Sequence, residues 1–184
     1  MMVKPWTLLK SKKDKSYRVF DLRIDTALSP RTNKAYNFYI LESSPWVNII
    51  PLTKDNDVVF IRQYRHGIRE ITLEIPGGLV EENDPKDAAI RELFEETGYV
   101  ANDAEFLGKV HPNPAILNNE CFTYIATDVK NSKKQHLDEK EDISVELIPL
   151  KKVPSLIKSG EITHSLVICA FTFLFLKYPS MFNF

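Results

Sequence analysis

Alternating apolar and polar positions mark "YRVFDLRID" and "AYNFYIL" as strands, separated by the turn-rich "ALSPRTNK". Two β-branched runs follow, "WVNIIPL" and "DVVFIRQYR", and the "TKDND" between them reads as a hairpin connection. A short extended piece, "ITLEIP", leads into Gly77 and Gly78. Beyond the glycines the period changes. Over residues 85 to 97, Ile90, Leu93, Phe94 and Thr97 fall at i, i+3, i+4 and i+7 spacing, so that side of a helix is expected to face the core. Asp84 is placed to cap this helix, Pro85 to fill its first position, Asp87 to lie near its positive end and Gly98 to stop it. Further strands are expected at "AEFLGKVH", "CFTYIATD" and "ISVELIPL", then helices around "KKVPSLIKSG" and "THSLVICAFTFLFLK". Strands on both sides of a central helix, with a helical tail, predict an α/β protein whose mixed β-sheet packs between helices. The strands before residue 44 are expected to form a small antiparallel sheet, which would divide the chain into an N-terminal β-strand subdomain, 1–43, and a main domain, 44–184.

Composition narrows the partners. A chain of 184 residues, 43% hydrophobic and 27% charged, is long enough for a proper core and ordinary for a globular protein. Its formal net charge of −1 supplies no global field for nucleic acid or an anionic membrane, so neither is expected as a partner. Phosphate binding must then come from local arginines or from a metal. Cys121 and Cys169 lack ligand-like spacing and read as buried free thiols rather than a disulfide or zinc site. "SLVICAFTFLFLKYP" is too short for a span of ~20 residues and reads as a buried helix. "MMVKPWTLLKSKKDKSYRVF" lacks the apolar core and cleavage site of a secretory leader, so a cytoplasmic location is expected.

The candidate chemistry lies between residues 77 and 99. Seven carboxylates crowd this stretch, with Lys86 and Arg91 as its only cations. On a helical wheel Glu92, Glu95 and Glu96 gather opposite the apolar side. A solvated charged face usually sets a cation four residues after each glutamate; here those positions hold Glu96, Tyr99 and Val100. Only Arg91, four before Glu95, offers an internal pair. Three carboxylates on one helical face after a glycine turn suit a hard cation such as Mg²⁺, which completes its shell with water and substrate phosphate.

"RELFEETGY" resembles the Arg-Glu-apolar-x-Glu-Glu-x-Gly-apolar half of the box that defines the Nudix hydrolases. "LEIPGGLVEE", "FIRQYR" and "HPNP" resemble the ADP-ribose and nucleoside diphosphate sugar pyrophosphatase branch of that family, over residues 40 to 150. Counted from Gly78, the stretch to Arg91 is one residue shorter than the box, and Asp84 stands where a glutamate belongs. Counted from Gly77 the spacing matches, with Asn83 there instead. Glu81, Glu82 or Asp84 could supply the auxiliary carboxylate. The resemblance implies a Nudix-like α/β/α sandwich and Mg²⁺-dependent hydrolysis of a diphosphate, with Mn²⁺ able to substitute. It implies metal ligands at Glu92 and Glu96, with Glu95 bridging a second ion or pairing with Arg91, and with the Gly77 carbonyl as a further ligand. Arg91 would orient the carboxylates.

The loop "NSKKQHLDEKEDISVE" resembles the acidic loop that supplies the water-activating glutamate, and Glu141 is preferred there over Glu139. By the same resemblance Arg62 and Arg65 line the substrate site, Glu74 contacts substrate or structures its turn, and Pro114 shapes the loop facing the sugar. Strict alternation puts Arg62 and Arg65 on opposite faces, so a shared role needs a bulge between them. Trp46 and Tyr64 read as core more than base-stacking, and His111 and His164 as structural. Two other readings stand beside the hydrolase of ADP-ribose or a related nucleotide sugar: an enzyme sanitising modified nucleoside triphosphates, and a non-catalytic nucleotide sensor. Phe20, Tyr36, Phe38 and Tyr39 need burial somewhere, and the resembling enzymes pack this sheet onto a partner chain, so a homodimer is expected.

Overall fold

The computed structural model describes residues 2–81, 84–132 and 135–182. They divide into two compact units, one within residues 1–44 and 111–119, the other within 45–110 and 120–184.

The first unit is an antiparallel sheet in which β2 (Asp21–Leu28) lies between β1 (Thr7–Ser16) and β3 (Ala35–Glu42). β1 was not legible in the pattern. It is lysine-rich and exposed along its whole length, so no apolar alternation marks it. The expected strand from Tyr17 begins instead at Asp21, because Tyr17 N–H bonds the Phe20 carbonyl at 2.8 Å and makes residues 17–20 a turn. Asn33, with a positive φ of 53°, turns β2 into β3, and Ser29 N–H reaches the Lys34 carbonyl at 2.9 Å. Within this sheet the Arg23 guanidinium is held by Asp25 and Glu42.

The second unit has helices on both faces of its sheets. One sheet runs β7 (Gly77–Leu79), β4 (Trp46–Pro51), β10 (Cys121–Ala126), β9 (Glu105–Val110), with β4 and β10 parallel and the other pairs antiparallel. The other places β5 (Asp57–Arg65) between β12 (Ile143–Pro149) and β6 (Glu70–Glu74), all antiparallel. β8 (Tyr99–Val100) and β11 (Lys130–Asn131) add a two-residue ladder. The expected β4–β5 hairpin does not form. A tight turn does connect them, with Thr53 N–H on the Asp57 carbonyl at 2.9 Å, but beyond a single bridge at Leu52 and Val58 the strands part into different sheets. β4 takes the later strand β10 as neighbour, and β5 forms its hairpin with β6. Alternation along a strand predicts its faces and leaves its partner open.

Helix α1 (Pro85–Thr97) covers one side through Ala88, Ala89 and Leu93, packed with Val47, Ile49, Val59 and Tyr124. Helices α2 (Val153–Ser159) and α3 (Ser165–Lys177) cover the other, where Val167, Ala170, Phe171 and Leu174 meet Ile50, Phe60 and Leu73. The result is the expected α/β/α arrangement, around one mixed sheet and one antiparallel sheet. Among the described residues no helix is long and apolar enough to cross a membrane. Cys121 is buried and its thiol is pushed up to about 12 by burial, while Cys169 is only half-buried; both are free.

Candidate active site

Helix α1 begins and ends where its sequence says it should. Asp84 accepts a hydrogen bond from Lys86 N–H at 2.9 Å, Pro85 opens the first turn, and Gly98 at φ 72° returns its N–H to the Phe94 carbonyl. Its orientation departs from the wheel. Glu92 and Glu96 are buried, 9% and 3% exposed, whereas Ile90 and Phe94 are half-exposed and line an open groove with Asp87 and Arg91. The buried arc is turned toward Ala88, Ala89, Glu92 and Glu96, so two of the three glutamates expected on the solvent side face inward. The physical reason lies in the small residues: Ala88 and Ala89 let the helix approach β4 and β7, and the glycines leave room for the carboxylates.

Close approach rather than φ marks both glycines, against backbone at Gly77 and against the end of a side chain at Gly78. A Cβ on Gly78 would lie 2.3 Å from Glu92 Oε1, so the bare backbone cradles that carboxylate. A Cβ on Gly77 would lie 2.3 Å from the Val47 carbonyl oxygen, and the Gly77 N–H donates to Glu96 Oε2 at 2.9 Å. Arg91 ties the array together: Nη1 lies 2.7 Å from Glu95 Oε2 and 3.0 Å from Glu92 Oε1, and Nη2 donates to the Leu79 carbonyl at 3.2 Å. Glu95 is only half-buried.

Burial pushes the Glu92 carboxyl up to about 7, against the pull of Arg91, with Glu95 and Glu141 adding to the rise. Burial pushes Glu96 to about 8; the Gly77 N–H and Arg65 pull it back, while Glu92 and Glu141 raise it further. Two buried carboxyls side by side, each raised by burial, are chemically suited to receive a cation. Among the described residues no three His, Cys, Asp or Glu groups already stand together as a metal cluster. Two inward carboxylates beside a glycine cradle nevertheless fit a hard ion that takes few protein ligands and keeps water and phosphate.

Residues 138–142 of the acidic loop are exposed. Glu141 N–H bonds the Asp138 carbonyl at 2.9 Å, and the Glu141 carboxylate accepts from Asp138 N–H at 3.1 Å. Its charge adds to the rise at both Glu92 and Glu96. Of the auxiliary candidates, Asp84 is used as the helix cap and Glu81 is exposed; Glu82 and Asn83 lie outside the described residues.

Arg62 and Arg65 are not brought together. Both ladders of β5 run without a register shift between them, so no bulge turns them to one face. Arg62 is engaged by Glu146 and Glu161, each at 2.8 Å. On the opposite face Arg65 forks onto Glu74 with two bonds of 2.7 Å, and Thr72 Oγ1 donates to the same carboxylate at 2.6 Å. Glu74 is 2% exposed. Burial alone would raise its carboxyl, but Arg65 and Thr72 hold it below the usual range. Arg65 also senses Glu96, which links this pair to the carboxylate helix. His164 caps α3 by accepting from Leu166 N–H at Nδ1, and its Nε2 stands 3.8 Å from Glu74 Oε2. Sequence reasoning passed over Thr72, although its place two residues before Glu74 puts both on one strand face. Pro114 belongs to the other unit, in a turn where the Asn113 carbonyl accepts from Ile116 and Leu117 N–H. Tyr64 is exposed and lies edge-on to His66, and Trp46 is half-buried at the head of β4.

An α/β/α fold that presses a glutamate-bearing helix against a glycine turn defines a class of architecture whose inward carboxyls suit a hard cation. The chain belongs to the NUDIX family: the NUDIX domain model matches residues 44–171. It is similar to a methanol dehydrogenase activator of Bacillus methanolicus, 31% identical over 92% of each chain. It is also similar to an ADP-ribose pyrophosphatase of Bacillus subtilis (strain 168), 27% identical over 88% of each. The crystal structure of an ADP compounds hydrolase superposes with a TM-score of 0.84 over 98% of this chain and 97% of that one. At 22% identity, that likeness concerns the fold.

Proposed function

We propose that this protein hydrolyses the diphosphate linkage of ADP-ribose or a related nucleoside diphosphate sugar, with Mg²⁺, giving a nucleoside monophosphate and a sugar phosphate. The observation that carries the proposal is the pair Glu92 and Glu96, one helical turn apart, buried, and seated on Gly78 and Gly77. The similarity to an ADP-ribose pyrophosphatase supports the substrate class.

Glu92 and Glu96 would hold the ion, with the Gly77 carbonyl and Glu95 as further donors. When bound, it supplies charge neutralisation at the phosphates and acidifies water. Arg91 aims Glu92 and Glu95 and fastens the glycine turn to the helix. Glu141 takes the proton of the attacking water at its carboxylate, leaving the turn N–H that it now accepts from. Arg65, held by the buried Glu74, offers the unused edge of its guanidinium to phosphate. Arg62 joins β5 to β12 through Glu146; to meet a substrate it would exchange one of its carboxylates for phosphate.

The protein acts in this reading as a homodimer in the cytoplasm. Trp6, Tyr36 and Phe38 pack edge-to-face on a sheet surface where each stays at least 40% exposed, an apolar face suited to a second copy. Purified protein offered a panel of nucleotide sugars and modified nucleoside triphosphates, with Mg²⁺ or with chelator, tests the proposal. Phosphatase-sensitive products from nucleotide sugars are expected only with the metal. No turnover of any member would favour a sensor, and preference for triphosphates would favour sanitising.

A further inference from the structure

The last four carbonyls of an α-helix find no partner inside it. In α1 these belong to Phe94, Glu95, Glu96 and Thr97. Gly98 N–H takes the first. The next two are taken by the acidic loop: His136 N–H donates to the Glu95 carbonyl at 2.8 Å, and Gln135 Nε2 donates to the Glu96 carbonyl at 2.6 Å. Gln135 Nε2 also donates to the carbonyl of Ile143, the first residue of β12, at 3.1 Å. The His136 ring stacks on Phe94 with centroids 5.2 Å apart. Glu95 and Glu96 therefore face the candidate metal site with their side chains and grip the loop with their backbones.

We infer that Gln135 is a positioning residue whose amide, spanning the carbonyls of Glu96 and Ile143, closes the base of the acidic loop and sets Glu141 against Glu92 and Glu96. The residue type suits the task. A carboxamide nitrogen carries two donors and no charge. It can join two carbonyls at once without adding a cation beside the carboxylates, which a lysine would do and a serine could not. With the His136 N–H on Glu95, those two bonds anchor the segment from Gln135 to Ile143 at both ends, and that segment holds Asp138, Glu139, Glu141 and Asp142. The inference rests on the reading of Glu141 as general base.

Gln135→Met keeps the length of the stem and removes both donors. In metal-free protein, backbone amide exchange over residues 136–142 should quicken roughly tenfold, while residues 88–94 of α1 keep their protection. With ADP-ribose and Mg²⁺, kcat should fall roughly tenfold with KM within about twofold. In a Glu141→Gln background the same substitution should cost no further kcat, because its only route to the reaction has been removed. Unchanged exchange together with unchanged kcat overturns the inference while leaving the base assignment standing, as does a full additional loss in the Glu141→Gln background. A silent Glu141→Gln overturns the base assignment, and the catalytic half of the inference with it, whatever the exchange shows. Should Gln135→Met fail to fold, Gln135→Asn, with its donors one methylene short, is read by the same comparisons.

Discussion

Replacing Glu96 by Gln should stabilise the metal-free protein while disabling it. The substitution keeps shape, and the Gln oxygen can still accept the Gly77 N–H that now reaches Glu96 Oε2 at 2.9 Å. It removes an ionisable group whose folded value is lifted from 4.5 to about 8, chiefly by burial. That rise corresponds to ~5 kcal/mol between the two protonation states, and Glu92 titrates close beside it, so the change belongs to the pair. A folded value above the unfolded one contributes stability that is fully present below about pH 4.5 and is lost as pH rises through about 8. Wild-type protein in chelator should therefore lose stability between about pH 5 and pH 9, and Glu96→Gln should lose less, by at least ~2 kcal/mol at the upper end. Urea unfolding in chelator at several pH values measures the difference. Adding Mg²⁺ at about pH 8 should raise the wild-type midpoint, since a ligand that binds only the folded state stabilises it, and should barely move the variant. Hydrolysis by the variant should be lost. If the two proteins lose stability in parallel across the whole pH range, Glu96 is not a desolvated acid, and the argument from burial to metal site fails.

Four further outcomes are expected. Glu141→Gln should lower kcat by ~10²–10⁴-fold with little change in KM, and Glu139→Gln should not; the reverse pattern moves the base to Glu139. Gly78→Ala should fold near-normally, because the clash at 2.3 Å falls on the movable end of Glu92, yet need more Mg²⁺ for half-maximal rate; an unchanged requirement would remove Glu92 from the ligand set. Arg65→Lys should cost ~1–3 kcal/mol in urea unfolding and raise KM, since a lysine cannot reproduce the fork on buried Glu74; unchanged stability and KM would make that pair incidental. Light scattering at micromolar concentration should report twice the 21.2 kDa chain mass, and a fully active monomer would refute the dimer.

The parts of the fold that were legible share a local cause. Asp84, Pro85 and Gly98 bound α1 because capping and the left-handed stop are decided within a few residues. β5 was read to the residue because its buried run, Val58 to Ile61, is continuous, and β12 nearly so because its apolar residues are contiguous enough in sequence to mark a strand. The failures need long-range information. "TKDND" makes a tight turn, as it reads, but which strand then pairs with β4 depends on residues 121–126, some seventy positions away. β1 has no buried face at all, and its lysines earn it no strand signature.

The site shows the same division in a sharper form. The cluster of Glu92, Glu95 and Glu96 on one stretch of helix could be read from their spacing; where they point could not, because a hydrophobic wheel assumes that carboxylates seek water. In α1 the assumption fails by about a quarter of a turn, which puts Ile90 and Phe94 at the rim and Glu92 and Glu96 inside. Ala88 and Ala89 were the available signal. Two adjacent small residues on a helix that follows two glycines mark the face of closest approach, and Glu92 and Glu96 share that face at i+4 and at i+7 or i+8. A burial pattern that contradicts hydrophobicity costs stability unless something else offsets it. In the proposed function the offset is an ion held by the pair, so the misfit between wheel and fold is the structural argument that supports the proposed metal site.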